Sequence, residues 1–74
     1  MERRLKMPDE ERIDLDLDVV ANSGGALLLS DGEVEAWIGF SLLECEEEDP
    51  RLMGAGEHHT FSIPVWVAEK EGLV

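Results

Sequence analysis

Residues 13–20 read IDLDLDVV, in which apolar and acidic side chains alternate strictly from Ile13 to Val19. Successive side chains of a β-strand point to opposite faces of its sheet, so this period of two predicts a strand over residues 12–20. The face predicted to meet the core carries Ile13, Leu15, Leu17 and Val19, and the opposite face carries Asp14, Asp16 and Asp18. The chain is therefore expected to fold around a sheet with one apolar and one acidic face.

A hairpin is predicted after this strand. The runs ALLLS (26–30) and EVEAWIGF (33–40) flank Asp31-Gly32, a dipeptide typical of a two-residue type I′ turn. In the second run, alternation places Val34, Ala36 and Ile38 on one face and Glu33, Glu35 and Trp37 on the other. Residues 41–50 show no clear period; a strand that runs into an acidic turn at Pro50 is favoured there over a helix.

The C-terminal part is predicted to end in a helix. TFSI (60–63) reads as a last strand, and Pro64 is favoured at a first helical position because its missing N–H would be unpaired there. Trp66 is expected to face the core from this helix. Gly72 is expected to be its left-handed C′ residue, with Leu73 folding back. We therefore predict an α+β fold, a small antiparallel β-meander of three to five strands with one short C-terminal helix. Residues 12–74 are predicted to form a single small domain, and residues 1–11 are predicted to form a flexible N-terminal arm.

The charge of the chain restricts its partners. The net charge is −12, and residues 13–74 hold fourteen acidic residues against only Arg51 and Lys70. Affinity for phosphates comes mainly from Lys and Arg, so direct nucleic-acid binding is not expected, and an anionic membrane would repel this surface. A basic protein is the complementary partner. The single cysteine, Cys45, leaves no disulfide framework. The lack of a disulfide framework and of a run of about 18 apolar residues predicts a soluble protein of the cytoplasm.

No catalytic or metal-binding motif is complete. Cys45 lacks a nearby His or basic neighbour to lower its pKa. His58 and His59 follow Glu57, but neighbours on a strand point apart, and no second His or Cys pair completes the four ligands usual for zinc. The acidic run before Pro50 lacks the spacing of an EF-hand. The expectation is a protein that is not an enzyme and has no cofactor or metal.

Two further stretches carry a family resemblance. EAWIGFSLLE (35–44), followed by SIPVWVAEKEGL (62–73), resembles small phage and prophage proteins with a Trp-Ile-Pro-Lys-Ser strand and a closing Pro-x-Trp-Leu-Ala helix that ends in Gly-Leu. Gly39 and Phe40 stand where Pro and Lys are usual, so a role of that Lys is not carried over. The resemblance implies a phage or mobile-element origin, where very small acidic proteins block host defence systems by binding them.

Charge and resemblance together predict an anti-CRISPR-like inhibitor that binds a basic groove of a host nucleic-acid-binding protein by mimicking the charge of DNA. A CRISPR effector subunit is one such target in the bacterial cytoplasm. The residues expected to bind the partner are Asp14, Asp16, Asp18, Glu33, Glu35, Trp37, Glu44, Glu46, Glu47 and Glu48. The alternative is an accessory or structural phage protein that forms a homodimer or larger assembly through a strand edge and Trp37. A solvated strand face also explains the aspartate row, because charged edges prevent strands from pairing between molecules.

Overall fold

A computed structural model describes residues 11–74, which form a four-stranded antiparallel sheet and one short C-terminal helix. The sheet order is β3-β2-β1-β4, so β1 to β3 form a meander and β4 returns to the free side of β1. The elements are β1 (Arg12–Asn22), β2 (Ala26–Ser30), β3 (Glu35–Gly39), β4 (His58–Pro64) and α1 (Val65–Lys70). The α+β class and the closing helix are confirmed.

The long strand β1 pairs with different neighbours along its length. Its first part, Arg12 to Asp18, pairs with β4, and its last part, Asp18 to Asn22, pairs with β2. The register shifts between Val19 and Ala21, which leaves Val20 as the extra residue of a β-bulge. The hairpin β2-β3 therefore pairs with the C-terminal part of β1, and β4 pairs with its N-terminal part.

The apolar core lies on one face of this sheet. Alternation of burial along β1 confirms the predicted direction: Leu17 and Val19 are buried, and Asp14, Asp16 and Asp18 are exposed. Residues of α1 and of the 40–57 connection cover that face. The buried core consists of Leu17, Val19, Leu27, Leu29, Ala36, Ile38, Leu43, Met53, Phe61, Ile63, Val67, Ala68 and Leu73. Below, this side of the sheet is called the inner face and the opposite side the outer face.

The predicted type I′ turn is wrong. Ser30 pairs with Glu35, so four residues, 31–34, connect β2 to β3. The Asp31 carboxylate accepts hydrogen bonds from the backbone N–H groups of Glu33 and Val34, at 2.9 and 2.8 Å. An Asp side chain that caps the backbone two residues on stabilises a longer loop, and Glu33 consequently lies in this loop and not in the strand.

Residues 41–50 form neither the strand favoured from the sequence nor a helix of regular length. Phe40–Leu42 and Pro50–Leu52 are single 3₁₀ turns, and between them Glu44 makes one antiparallel bridge with Ser62 of β4. The segment thus borders the edge of β4 without becoming a fifth strand.

The end of α1 follows the sequence prediction. Gly72 has φ 79°, Leu73 N–H donates to the Ala68 carbonyl at 2.8 Å, and Gly72 N–H donates to the Glu69 carbonyl at 3.3 Å. These two bonds define a Schellman cap. Pro64, expected at the first helical position, is the cap residue before it.

The expected burial of Trp66 is wrong: Val67 and Ala68 form the side of α1 that meets the core, and Trp66 is 45% exposed. Residues 1–10 of the predicted N-terminal arm lie outside the described residues, and the Glu11 carbonyl accepts from Val65 N–H at 2.9 Å. No helix in residues 11–74 has the length and apolar character needed to cross a membrane.

Candidate functional site

The three aspartates of β1 form a row on the outer face. All three are exposed, and the register places Asp14 opposite Ser62, Asp16 opposite Thr60 and Asp18 opposite His58. Residues two apart on a strand lie roughly 6.6 to 6.8 Å apart. The ladder pairs of β1 fix this spacing, so the carboxylates sit on a backbone that is ordered before any partner arrives.

Hydrogen bonds from β4 orient two of these aspartates. The Thr60 hydroxyl donates to Asp16, and His58 Nδ1 lies 2.6 Å from an oxygen of Asp18. Both members of the Asp18–His58 pair remain exposed. Exposed pairs of this kind contribute little to stability, on the order of 0–1 kcal/mol. Asp16 and Asp18 are therefore oriented by β4 while they stay accessible to a partner.

The connection after β3 adds further carboxylates to the same face. Glu44 N–H donates to the Ser62 carbonyl at 3.1 Å, and Ser62 N–H donates back at 2.7 Å. An open groove of about 360 Å³ results between this connection and the β1-β4 surface. It is lined by Asp14, Glu44, Cys45, Glu46, Glu47, Thr60 and Ser62. We call the surface made by Asp14, Asp16, Asp18, Glu44, Glu46 and Glu47 the acidic face.

Arg12 lies at one end of the acidic face, and its guanidinium is occupied by neighbouring groups. Its Nη2 donates to the Leu42 and Ser62 carbonyls at 2.9 and 2.7 Å, and its Nε donates to the Ser62 hydroxyl at 2.9 Å. Glu44 approaches Arg12 Nε only to 3.8 Å. Arg12 thus ties the 40–44 connection to β4, and it leaves most of the negative charge of the face uncompensated.

The other predicted binding residues lie apart from the acidic face. Glu35 projects outward on β3, two strands from Asp18, and Trp37 follows it on the same side of that edge strand. Trp37 is 52% exposed and faces Leu28 across the β2-β3 pair. Glu33 belongs to the 31–34 loop. The surface around Trp37 is therefore an apolar patch next to the aspartates and not a continuation of them.

Glu48 lies near the inner face, beside His59. The His59 side chain is only 15% exposed, and it continues the inward row of β4 next to Phe61. Its Nδ1 lies 2.8 Å from Glu47 Oε1, and its Nε2 lies 2.8 Å from Glu57 Oε1 and 3.6 Å from Glu48 Oε1. We call His59, Glu47, Glu48 and Glu57 the histidine cluster. Glu47 belongs to both groups because it lines the groove and its carboxylate also reaches His59 Nδ1.

The cluster shifts the pKa of its members in ways that follow from these contacts. Hydrogen bonds to Glu57 and then Glu47 raise the pKa of His59 above 6.5. Hydrogen bonding to His59 is also the largest cause that lowers the pKa of Glu47 and of Glu57 below 4.5. The pKa of Glu48 is raised, because its protonated carboxyl donates a hydrogen bond to Glu57, and because desolvation and the negative charge of Glu57 both disfavour its charged form. A protonated His59 between two carboxylates is thus the favoured state in weak acid.

Sequence reasoning identified the aspartate row but missed the histidine cluster. It placed His58 and His59 on opposite sides of a strand, which the structure confirms, since His58 reaches Asp18 and His59 faces inward. It treated Glu44 to Glu48 as one patch, whereas Glu48 faces the cluster. The sequence did contain a signal for the cluster. Glu57 and His59 are two residues apart, so in a strand they would lie on the same side, and an acidic run without the period of a strand lies nearby.

No family model, curated protein or solved structure matches this chain.

Proposed function

We propose that this protein binds a basic, phosphate-recognising groove of another protein by presenting the acidic face in place of nucleic acid. The observation that supports this most is the groove beside β1, where Asp14 meets Glu44, Glu46 and Glu47 from the 40–57 connection. Two acidic stretches that are about thirty residues apart in sequence are thereby joined into one surface on an ordered sheet.

The spacing of the row suits this role. Carboxylates at roughly 6.6 to 6.8 Å along β1 match two axial phosphate steps of about 3.4 Å on one strand of DNA. Any exposed strand with alternating residues has this spacing, so the spacing supports the proposal only in combination with the negative charge of the chain. Here the net charge is −12, and Arg12 at the end of the face is already bonded to two carbonyls. The three aspartates stand on the backbone of β1, so this part of the face avoids the cost of ordering a loop when the partner binds.

The partner class follows from this chemistry. A groove that binds phosphates is lined by Arg and Lys, which pair with carboxylates through charge-assisted hydrogen bonds. The resemblance to phage proteins suggests a host defence protein that handles nucleic acid, such as a CRISPR effector subunit, and hence an inhibitory role in a bacterial cell.

A capture experiment tests the proposal. The wild-type protein and the Asp14→Asn, Asp16→Asn, Asp18→Asn triple variant are immobilised and exposed to bacterial lysate at low and high salt. A parallel sample contains a competing DNA duplex. We expect the wild type to retain a nucleic-acid-binding protein that DNA and salt displace, because screening acts over about 10 Å at 0.1 M salt. The triple variant should not retain it. If the wild type and the triple variant retained the same protein equally, or if that protein stayed bound in the presence of saturating DNA, the aspartates would not be mimics of nucleic acid.

The exposure of Trp37 favours a second function, self-association. Trp37 is 52% exposed on β3, an edge strand of the sheet, and an exposed strand edge is a template for pairing with another chain. Sedimentation of the wild type and of Trp37→Ala tests this function. A dimer that persists or strengthens at high salt, and is lost in Trp37→Ala, would support assembly and not charge mimicry.

A further inference from the structure

The histidine cluster brings together donor atoms of a kind and spacing that bind metal ions. His59 Nε2 lies 2.8 Å from Glu57 Oε1 and 3.6 Å from Glu48 Oε1, and donor atoms of these three residues all lie within 4.8 Å of one another. In a tetrahedral zinc site with bonds of about 2.1 Å, neighbouring donors lie about 3.4 Å apart. The two observed distances bracket this value, so small side-chain rotations would open a site of the right size.

We propose that His59 Nε2, Glu48 and Glu57 bind one divalent transition-metal ion of the zinc class, with water completing the coordination. One imidazole and two carboxylates are borderline-hard donors that zinc accepts. The His59 side chain is 15% exposed, and those of Glu48 and Glu57 are 36% and 38% exposed. The site is thus sheltered by protein on one side and open to water on the other. The proposal differs from the sequence-based expectation that the protein has no metal site.

The groups around these three residues are arranged as an outer coordination shell. A histidine that binds zinc usually donates its other N–H to a carboxylate, which fixes the tautomer and the ring orientation. His59 Nδ1 has this partner in Glu47 Oε1, at 2.8 Å. Glu57 is oriented in turn by Gly54, whose N–H donates to Glu57 Oε2 at 3.0 Å and leaves Oε1 directed at His59. Both oriented ligands therefore point at one place before any metal arrives.

A second set of three donors competes for the same imidazole. Cys45, Glu47 and His59 also have donor atoms within 4.8 Å of one another, and Cys45 Sγ lies 3.9 Å from Glu47 Oε1. In that arrangement His59 would bind through Nδ1, and Glu47 would be a ligand instead of the orienting carboxylate. The set with Glu48 and Glu57 is favoured because only it leaves Glu47 to hold the ring and Gly54 to hold a ligand.

A metal at this position would fasten the 40–57 connection to the sheet. Glu48 lies in the connection, Glu57 at its end and His59 on β4, so one ion would link all three. It would also neutralise the repulsion between the Glu48 and Glu57 carboxylates, whose oxygens lie within 4.8 Å of one another. Zinc would bind His59 Nε2 only when this nitrogen carries no proton, so metal binding should weaken as the pH falls.

Zinc titration of the untagged full chain, followed by calorimetry and by thermal unfolding, tests the proposal. We expect one zinc ion per chain at pH 7 and a raised Tm. His59→Gln and Glu57→Gln should abolish binding, and Glu47→Gln should weaken it by about 10- to 100-fold as an orienting residue. His58→Gln and Glu46→Gln are matched controls, a neighbouring histidine and a neighbouring carboxylate, and should bind like wild type. Circular dichroism without metal establishes that each variant is folded.

Cobalt(II) in place of zinc distinguishes the two donor sets. The His59, Glu48, Glu57 set gives weak visible bands and no thiolate-to-cobalt charge-transfer band in the near ultraviolet, and Cys45→Ser leaves it unchanged. A strong charge-transfer band that Cys45→Ser removes would assign the metal to the competing set and overturn the proposal. Undiminished zinc binding by folded His59→Gln, or an equal loss in Glu46→Gln and Glu57→Gln, would also overturn it, because binding would then reflect diffuse negative charge.

Discussion

Two neighbouring substitutions on β1 test the assignment of its two faces. Leu17 is 1% exposed and lies in the core, whereas Asp16 is exposed and accepts a hydrogen bond from the Thr60 hydroxyl. Truncating a fully buried leucine to alanine removes its contacts and leaves a cavity, which costs about 2–5 kcal/mol. A chain of this length has a total stability of about 4–11 kcal/mol. Leu17→Ala should therefore remove a large fraction of it.

The expected size of the effect can be measured by calorimetry or by circular dichroism. At roughly 4–8 °C of Tm per kcal/mol for small domains, a loss of about 3 kcal/mol lowers Tm by about 12–24 °C. Asp16→Asn is the matched control, because asparagine still accepts from Thr60, and its effect should stay within about 0.5 kcal/mol. Equal changes of Tm in the two variants, or a larger one in Asp16→Asn, would refute the assignment of faces and with it the acidic face.

Three further outcomes are expected. Replacing Asp14, Asp16 and Asp18 together by Asn removes three like charges, so Tm should hold or rise slightly; a fall would show that the row serves the fold. In the presence of a chelator, the contribution of the histidine cluster to stability should be greatest in weak acid and should fall on both sides. The contributions of His59 and Glu48, whose pKa values are raised, are lost as the pH rises through those values, and the contributions of Glu47 and Glu57, whose pKa values are lowered, are lost as the pH falls through them. His59→Gln should remove this dependence above pH 6.5, and an unchanged profile would contradict the cluster. Gly72→Ala, at φ 79°, should cost about 1 kcal/mol by urea unfolding, and no cost would contradict the Schellman cap.

Local sequence patterns were sufficient to predict much of the fold. The alternation around Asp16 determined both the strand and the direction of its faces, because a period of two admits one arrangement once one side is apolar. The cap at Gly72 was equally predictable, since glycine followed by an apolar residue stabilises a helix end through two backbone bonds. Both features depend on residues that are close in sequence.

Features that depend on distant residues were not predictable. The bridge between Glu44 and Ser62 joins residues eighteen apart in sequence, and it places the acidic connection along the edge of β4, from which the groove extends to Asp14 on β1. The histidine cluster needs Glu47 and His59, twelve residues apart, to meet at the edge of β4. The prediction of a two-residue turn at Asp31-Gly32 was wrong for a local reason. The Asp31 carboxylate accepts hydrogen bonds from the N–H groups of Glu33 and Val34 and so stabilises a four-residue loop.

The acidic face and the metal site can fail separately, because they share only Glu47. The Asp14, Asp16, Asp18 triple variant leaves every residue of the histidine cluster intact, so it should lose the basic partner and keep its zinc affinity. Glu57→Gln removes a metal ligand that lies outside the acidic face, so it should lose zinc and keep the partner. Glu47→Gln should weaken both, since its carboxylate lines the groove and also orients His59. Measuring both affinities for these three variants decides the matter. If the triple variant lost zinc, or Glu57→Gln lost the partner, the two sites would be one, and a metal held in the groove would have to replace charge mimicry as the explanation of the acidic face.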